Sequence, residues 1–263
     1  MTAPFSAPLS PVASRSGVTL RARGEGAPVF VFPGMEGSGE SCLHLAVPVL
    51  ESMPGRRLVL VDYGAEAHAS FDGLAETVRG LVREVAGGEP CVIWAQSFGN
   101  LLAVRLQGHV DVERWAFVSP FTKLPAWKAH GGTLSMALTP GPVYRATIRP
   151  LGRFLFGPTG SARAHPFFDA LHAAPVAVVQ RRTGWLRGRD AQAEFEAVTG
   201  PARVWLGARD RLVDLDDQRR LFAALAHARP DWTLTMMPES GHVVLPAPAV
   251  EAARDQLTTW LAA

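Results

Sequence analysis

The feature that most constrains the fold is a series of short apolar runs separated by loops and by segments with helical spacing. The runs cover residues 28–32, 57–62, 91–96, 115–118, 202–207 and 232–237. A strand that is apolar along its whole length is typical of a parallel sheet covered on both faces. Strands that alternate with helices indicate helices packed on that sheet. We therefore predict an α/β fold with a mostly parallel, doubly wound sheet.

The third run leads into Ala95-Gln96-Ser97-Phe98-Gly99, and helical spacing begins directly afterwards. A serine at a sharp turn between a strand and a helix is the arrangement of a nucleophile elbow, which exposes the hydroxyl above the sheet. The corner is crowded, so the residues two before and two after the serine must be small. Ala95 and Gly99 meet this requirement. A serine in an ordinary tight turn is the alternative interpretation of these residues alone.

Two residues at other strand ends have the chemistry to activate Ser97. A serine hydroxyl needs a base that titrates near neutrality, and histidine suits this role. The histidine in turn needs a carboxylate that fixes its tautomer. Asp210 follows the fifth apolar run and His242 follows the sixth, and sites in such sheets form at the carboxyl ends of strands. We predict Ser97, His242 and Asp210 as nucleophile, base and acid, with Asp214 or Asp216 as alternatives for the acid.

A tetrahedral intermediate at Ser97 would also need hydrogen-bond donors for its negative oxygen. One donor is expected from the backbone N–H of Phe98, directly after the nucleophile, and the other from Met35 in the glycine-rich loop 33–39. Glu36 and Gln96 flank the presumed site and are candidate substrate contacts, although ordinary polar loop residues are the simpler interpretation.

The chain divides into a predicted core and two additions. Residues 1–16 are rich in Pro, Ala and Ser and are interpreted as a flexible arm. Residues 17–120 and 201–263 carry the strand and helix alternation. Residues 121–200 lack a clean buried strand, so we predict a helical lid insertion there.

The predicted lid contains two segments that look helical, residues 143–156 and 175–187. Its basic run is interpreted as a solvated helix face, with an anion-contacting lip as the alternative. The run consists of Arg181, Arg182, Arg187 and Arg189. Large apolar side chains of the lid suggest an acyl-binding cavity, or simple packing of the lid onto the core. These are Trp127, Tyr144, Phe154, Phe156, Phe167, Phe168 and Trp185.

Composition excludes several classes of protein. The formal net charge is +2 with acids and bases interspersed, so no nucleic-acid-binding patch is visible. Two cysteines without metal-ligand spacing indicate neither a disulfide scaffold nor a metal site. The N-terminus lacks the basic and apolar regions of a secretory signal, and no apolar run approaches the length of a membrane span. We expect a cytoplasmic protein without stable membrane anchoring, whose oligomeric state the sequence leaves open.

These motifs resemble the α/β-hydrolase superfamily over nearly the whole chain beyond the N-terminal arm. The matching segments are residues 32–39 (FPGMEGSG), 95–99 (AQSFG), 207–210 (GARD) and 240–242 (SGH). The first two are similar to those of a bacterial group of lipase- and esterase-like hydrolases. Ala95 replaces the usual glycine of that group, and Pro33 stands where many members have histidine. The resemblance implies a Ser-His-Asp triad with no metal and no organic cofactor.

The expected function is hydrolysis of carboxylic esters or thioesters through an acyl-enzyme on Ser97, with a small-molecule acyl compound as the substrate. Transfer of the acyl group to an alcohol other than water would use the same triad and is the first alternative. A non-catalytic binding protein on a hydrolase fold is the second, because fold does not fix function.

Overall fold

A computed structural model describes residues 9–42, 55–64, 68–125 and 173–242, together with residues 142, 143, 146, 255 and 260. The strands are β1 (Ser10–Arg15), β2 (Val18–Arg23), β3 (Ala27–Phe32), β4 (Arg56–Asp62), β5 (Cys91–Gln96), β6 (Val112–Val118), β7 (Ala202–Gly207) and β8 (Trp232–Met237). The helices are α1 (Phe71–Ala86), α2 (Phe98–Ala103), α3 (Val176–Trp185), α4 (Gln192–Ala197) and α5 (Leu215–Ala228), with short 3-10 turns at Gly39–Cys42 and Val104–Leu106.

The strands form one eight-stranded sheet in the order β1-β2-β4-β3-β5-β6-β7-β8. The β1–β2 and β2–β4 pairs are antiparallel and the other pairs are parallel, which confirms the predicted sheet. From β3 the chain moves to one side to form β4 and then crosses to the other side to form β5. The carboxyl ends of β3 and β5 therefore flank a topological switch point, where open α/β sheets form their ligand crevices.

The core explains why the central strands are apolar throughout. All six residues of β5 are buried, as is typical of a central strand that is covered on both faces. In α1 the buried residues include Leu74, Val78, Leu81 and Val82, which lie on one face at helical spacing. Each such side chain contributes about 1.5–3 kcal/mol when it is fully removed from water.

The start of α1 is set by Ser70. Its side chain accepts a hydrogen bond from the Gly73 amide, and its extended backbone precedes the first helical residue, Phe71. Asp72 lies inside the first turn, where its negative charge interacts favourably with the helix dipole.

Part of the expected N-terminal arm is a strand, so that prediction is wrong for residues 10–15. β1 pairs antiparallel with β2 at the edge of the sheet, although most of its side chains are exposed. Backbone hydrogen bonds rather than apolar burial hold it there, which is why its composition looks like that of a loose segment. Ser16 and Gly17 both have positive φ, as a two-residue hairpin turn requires.

The described part of the expected lid divides between two environments. α3 agrees with the helix expected at 175–187. In α4, by contrast, Phe195 is fully buried in the main core, with its ring centroid 5.4 Å from Phe117 and 5.2 Å from Phe222. The last residues of the 121–200 segment therefore belong to the core rather than to a covering lid.

Several expectations lie outside the described residues. They include most of the helix expected at 143–156 and, apart from Trp185, all the large apolar side chains assigned to the lid. Near the C-terminus, the described residues Asp255 and Trp260 are helical. Among the described residues, no helix is both long and apolar enough to cross a bilayer.

Candidate active site

Ser97 occupies a strained corner between β5 and α2. Its backbone has φ 52° and ψ −122°, a conformation that residues other than glycine rarely adopt. The Ser97 amide donates to the carbonyl of Val118 at 3.0 Å, and this bond ties the corner to the neighbouring strand β6. The geometry matches the elbow that the sequence predicts.

Close packing explains why the elbow needs small residues. A Cβ on Gly99 would lie 2.3 Å from the carbonyl oxygen of Pro33 and 2.8 Å from that of Phe32. The start of α2 therefore rests directly on the end of β3 and on the loop after it. Ala95 is fully buried in β5, so a methyl group fits where glycine is more usual.

His242 links Ser97 to Asp210 through two short hydrogen bonds. Its Nε2 lies 2.7 Å from Ser97 Oγ, and its Nδ1 lies 2.7 Å from Asp210 Oδ2. All three residues are buried. The structure thus brings together the three residues that the sequence places at the ends of β5, β7 and β8.

The carboxylate of Asp210 is fixed on its other side by backbone amides. Its Oδ1 accepts hydrogen bonds from the amides of Leu212 at 2.8 Å and Val213 at 3.3 Å. Burial alone would raise the pKa of Asp210, but His242 and these amides together hold that pKa below its usual value. Asp210 is therefore held as a carboxylate that accepts from Nδ1–H and leaves Nε2 to face the serine.

The two alternative acids lie elsewhere. The side chain of Asp214 caps α5 by accepting a hydrogen bond from the amide of Asp217 at 3.2 Å. Asp216 is in the first turn of α5 and pairs with Arg219 at 3.2 Å near the surface. Of the three aspartates, Asp210 is the one that contacts His242.

The loops that carry Asp210 and His242 touch at Gly207, the last residue of β7. A Cβ at this position would lie 1.8 Å from the carbonyl oxygen of Gly241 and 2.6 Å from that of Ser240. The amide of Arg209 also donates to the carbonyl of Ser240 at 2.9 Å. Direct backbone contact therefore sets the spacing between the acid and the histidine.

The expected oxyanion donors are the backbone amides of Phe98 and Met35. Phe98 is the first residue of α2, so its amide is one of the N-terminal N–H groups that have no acceptor within the helix. Met35 lies in the loop after β3. The preceding carbonyl, that of Gly34, accepts hydrogen bonds from the Tyr63 hydroxyl at 3.0 Å and from the Gly37 amide at 3.1 Å.

Glu36 and Gln96 are both buried. The Glu36 carboxylate accepts hydrogen bonds from the amide of Gly34 at 3.1 Å and from the Ser41 hydroxyl, so it ties the glycine-rich loop to itself. Burial raises the pKa of Glu36, although these bonds and the charge of Arg182 oppose that rise. Contact of either side chain with substrate remains a prediction.

Arg182 is a residue near the site whose role the sequence did not indicate. It is fully buried, and it donates hydrogen bonds to the carbonyls of Met35, at 2.6 Å, and Tyr63. Arg182 therefore belongs neither to a solvated helix face nor to an anion-contacting lip, the two interpretations of the basic run. Arg189, from the same basic run, packs its guanidinium 3.8 Å from the Phe71 ring centroid. Arginine is seldom fully buried, so sequence gave no signal for this placement.

Within the described ranges, no group of three or more His, Cys, Asp or Glu side chains is placed to hold a metal ion. Both cysteines are buried and free. The chemistry available at the site is that of a hydroxyl, an imidazole and a carboxylate connected in series. Such a chain can move a proton from Ser97 to His242 while Asp210 stabilises the imidazolium.

Comparison with known proteins identifies a matching family and several similar folds. The model of the Alpha/beta hydrolase family matches residues 5–254. The fold is similar to that of an esterase from Exiguobacterium antarcticum, with a TM-score of 0.77 and 14% identity over 97% of this chain and 99% of the other. An enol-lactonase from Burkholderia xenovorans gives a TM-score of 0.75 and 16% identity over 97% and 100% of the two chains.

A bromoperoxidase from Bacillus anthracis is also similar in fold, with a TM-score of 0.73 and 14% identity over 98% of this chain and 97% of the other. Comparison with curated protein sequences gave no match. The family match covers most of the chain, including the serine corner and the loop of His242. The chain therefore belongs to the alpha/beta hydrolase family.

Proposed function

We propose that this protein is a serine hydrolase that cleaves carboxylic esters or thioesters through an acyl-enzyme on Ser97. The observation that carries the proposal is the hydrogen-bonded series Ser97 Oγ, His242 and Asp210, with 2.7 Å at each link. A hydroxyl on a strained corner beside a carboxylate-oriented imidazole has the geometry of an activated nucleophile.

Acylation begins when Ser97 Oγ attacks the acyl carbon and His242 Nε2 takes the hydroxyl proton. The carbonyl π electrons move onto the oxygen, and the amides of Met35 and Phe98 donate to the resulting oxyanion. The tetrahedral intermediate collapses by breaking the bond between the acyl carbon and the leaving oxygen or sulfur. His242 returns its proton to that leaving atom.

Deacylation repeats these steps with water as the nucleophile. His242 takes a proton from water as the water oxygen attacks the acyl carbon. Collapse of the second intermediate breaks the bond between that carbon and Ser97 Oγ, His242 returns its proton to Oγ, and a carboxylic acid is released. Asp210 stays ionised throughout and stabilises the imidazolium. Its two backbone donors, Leu212 and Val213, support that role because they favour the charged carboxylate.

The bond class is supported by the family and by two of the similar folds. One of those proteins is an esterase and another an enol-lactonase, and a lactone is a cyclic ester. A substrate panel should therefore contain linear esters of varied acyl length, lactones and thioesters.

The first test is intact-mass analysis after treatment with a small fluorophosphonate. We expect one adduct on the wild type and none on Ser97→Ala. Ser119→Ala is the matched control, because Ser119 also ends a buried strand with positive φ (46°) and should leave labelling intact. Labelling of Ser97→Ala, or no labelling of the wild type, would contradict the assignment of the nucleophile.

Product analysis then separates hydrolysis from the two alternatives. With an ester substrate and an added alcohol, we expect free acid as the main product. A new ester as the dominant product would indicate acyl transfer. Binding of an ester without turnover or labelling would instead indicate a non-catalytic protein on this fold.

A further inference from the structure

We propose that Tyr63 and Arg182 are positioning residues that aim the Met35 amide at the oxyanion. This inference rests on the proposed function, because it concerns the oxyanion donor of the same site. Both act on the glycine-rich loop that contains Met35.

The first step is the orientation of one peptide plane. The Gly34 carbonyl and the Met35 N–H belong to the same peptide group, and the described residues contain no cis peptide bond. In a trans peptide these two groups point in opposite directions. The Tyr63 hydroxyl donates a shared hydrogen bond to the carbonyls of Pro33 and Gly34, the latter at 3.0 Å, and the Gly37 amide donates to the Gly34 carbonyl at 3.1 Å. The Met35 N–H is therefore turned away from Tyr63.

The second step is that Tyr63 itself has little freedom. Its side chain is fully buried, and its ring centroid lies 6.1 Å from that of Phe98, the other expected oxyanion donor. Its backbone amide donates to the carbonyl of Gly37 at 2.8 Å. Burial and the nearby Glu36 carboxylate raise the pKa of Tyr63 well above its usual value, so the hydroxyl keeps the proton that it donates.

The third step is the anchor from α3. The Arg182 guanidinium lies over the Tyr63 ring, 4.9 Å from its centroid, and donates to the backbone carbonyls of Tyr63 and Met35. The peptide groups before and after Met35 are thus held by different donors, the Tyr63 hydroxyl and Arg182. The charge of Arg182 lies close enough to Glu36 to oppose the rise in the pKa of that carboxyl. Their attraction offsets part of the cost of burying the guanidinium.

A steric observation supports this packing independently. A Cβ on Gly37 would lie 2.6 Å from Arg182 Nη1 and 2.8 Å from Tyr63 Cδ2, and Gly37 has φ +74°. The loop, Tyr63 and Arg182 therefore fit together with no room for a further methyl group. The segment between β6 and β7 thus contributes, through α3, to the geometry of the expected oxyanion site.

The test compares Tyr63→Phe, Arg182→Lys and Arg182→Met with the wild type. The matched controls are Thr183→Val, which removes a buried hydroxyl that donates to Val179 in α3, and Arg181→Met, which removes the neighbouring cation. The main readout is the second-order rate constant of fluorophosphonate labelling at Ser97, because phosphonylation places an oxygen at the same donors. Steady-state kinetics with a chromogenic ester and thermal unfolding are measured in parallel.

Loss of one oxyanion donor costs roughly 100- to 1,000-fold in rate. Tyr63→Phe misorients a donor without deleting it, so we expect labelling and kcat to fall roughly 10- to 100-fold, with KM changed less than about threefold. The pH profile should keep its wild-type midpoint. Arg182→Met should lose more than Arg182→Lys, which keeps the charge, and both controls should label at the wild-type rate.

The outcomes separate the two proposals. A wild type that is not labelled refutes the nucleophile assignment itself. A labelled wild type together with Tyr63→Phe that reacts at the same rate per folded molecule overturns the positioning role alone. A lower melting temperature with an unchanged labelling rate would show that Tyr63 and Arg182 are merely structural. Tyr63→Phe is sufficient for the test if the Arg182 variants do not fold.

Discussion

Replacing Gly207 with alanine should separate the acid from the histidine. An ideal Cβ at Gly207 lies 1.8 Å from the Gly241 carbonyl oxygen, and real Cβ atoms essentially never come closer than 3.0 Å, so the two must move apart by about 1.2 Å. Gly207 is the last residue of β7 and lies three positions before Asp210, and Gly241 directly precedes His242. The displacement therefore acts directly on the 2.7 Å contact between Nδ1 and Oδ2.

The size of the effect follows from that displacement. A misplacement of about 1 Å at a reacting group costs on the order of 100-fold in rate, which corresponds to about 2.7 kcal/mol. We expect kcat/KM and the fluorophosphonate labelling rate of Gly207→Ala to fall together by about this factor. Crowding of a packed site also costs roughly 1–3 kcal/mol of stability, so the melting temperature should drop moderately.

Gly184→Ala is the matched control. Gly184 lies in α3 with nothing within 4 Å of its ideal Cβ, so the same substitution should leave activity unchanged and stabilise the helix slightly. The assay is ester turnover and probe labelling of both variants beside the wild type, with unfolding monitored by circular dichroism. Wild-type kinetics in Gly207→Ala would refute the inference that this backbone contact sets the spacing.

Three further substitutions test other parts of the site. Gly99→Ala should slow labelling strongly, because its Cβ would lie 2.3 Å from the Pro33 carbonyl oxygen. Asp210→Asn should lose stability relative to wild type mainly above pH 3.8, since the pKa of Asp210 is lowered on folding; melting temperatures across pH check this. Glu36→Ala should lower the free energy of unfolding, measured by chemical denaturation, by about 1–3 kcal/mol. Glu36→Gln should lower it less, because glutamine keeps an acceptor for the buried donors.

Each of these has its own contradicting result. For the elbow, Ala95→Gly is the control, and equal labelling of Gly99→Ala and Ala95→Gly would contradict the steric account. For Asp210, the difference in melting temperature between the wild type and Asp210→Asn should shrink as pH falls through the folded-state pKa of Asp210. A difference that grows toward acid pH would contradict the lowered pKa of Asp210. Equal losses in Glu36→Gln and Glu36→Ala would show that the acceptor atom is unimportant.

The central sheet could be predicted because its strands are buried on both faces, so each is apolar throughout and ends at a turn. Once the strands are parallel, the residues at their carboxyl ends must meet, which is how Ser97, Asp210 and His242 could be grouped from sequence. The sequence also favoured Asp210 over Asp214, because Asp210 lies closer to the end of its strand. The structure separates their roles, since Asp210 contacts His242 Nδ1 at 2.7 Å whereas Asp214 caps α5.

The remaining features were beyond sequence reasoning for identifiable physical causes. β1 is held by backbone bonds, which leave no apolar pattern, and only its Ser16-Gly17 turn gives a signal. Arg182 can be buried because two backbone carbonyls accept its hydrogen bonds and an aromatic ring packs against it. These groups come from segments that are distant in the sequence. Phe195 belongs to the core through contacts with Phe117 of β6 and Phe222 of α5, which composition alone does not reveal.

The order of the strands has a consequence for synthesis of the chain. β5 is flanked by β3 and β6, so the sheet around Ser97 can form once residue 118 has left the ribosome. His242 lies 145 residues beyond Ser97 and arrives only after β7 and β8 have joined the sheet. Until then the elbow carries an ordinary, unactivated hydroxyl. The nascent polypeptide should therefore be inert toward acyl compounds, and reactivity should appear abruptly when the last strand docks.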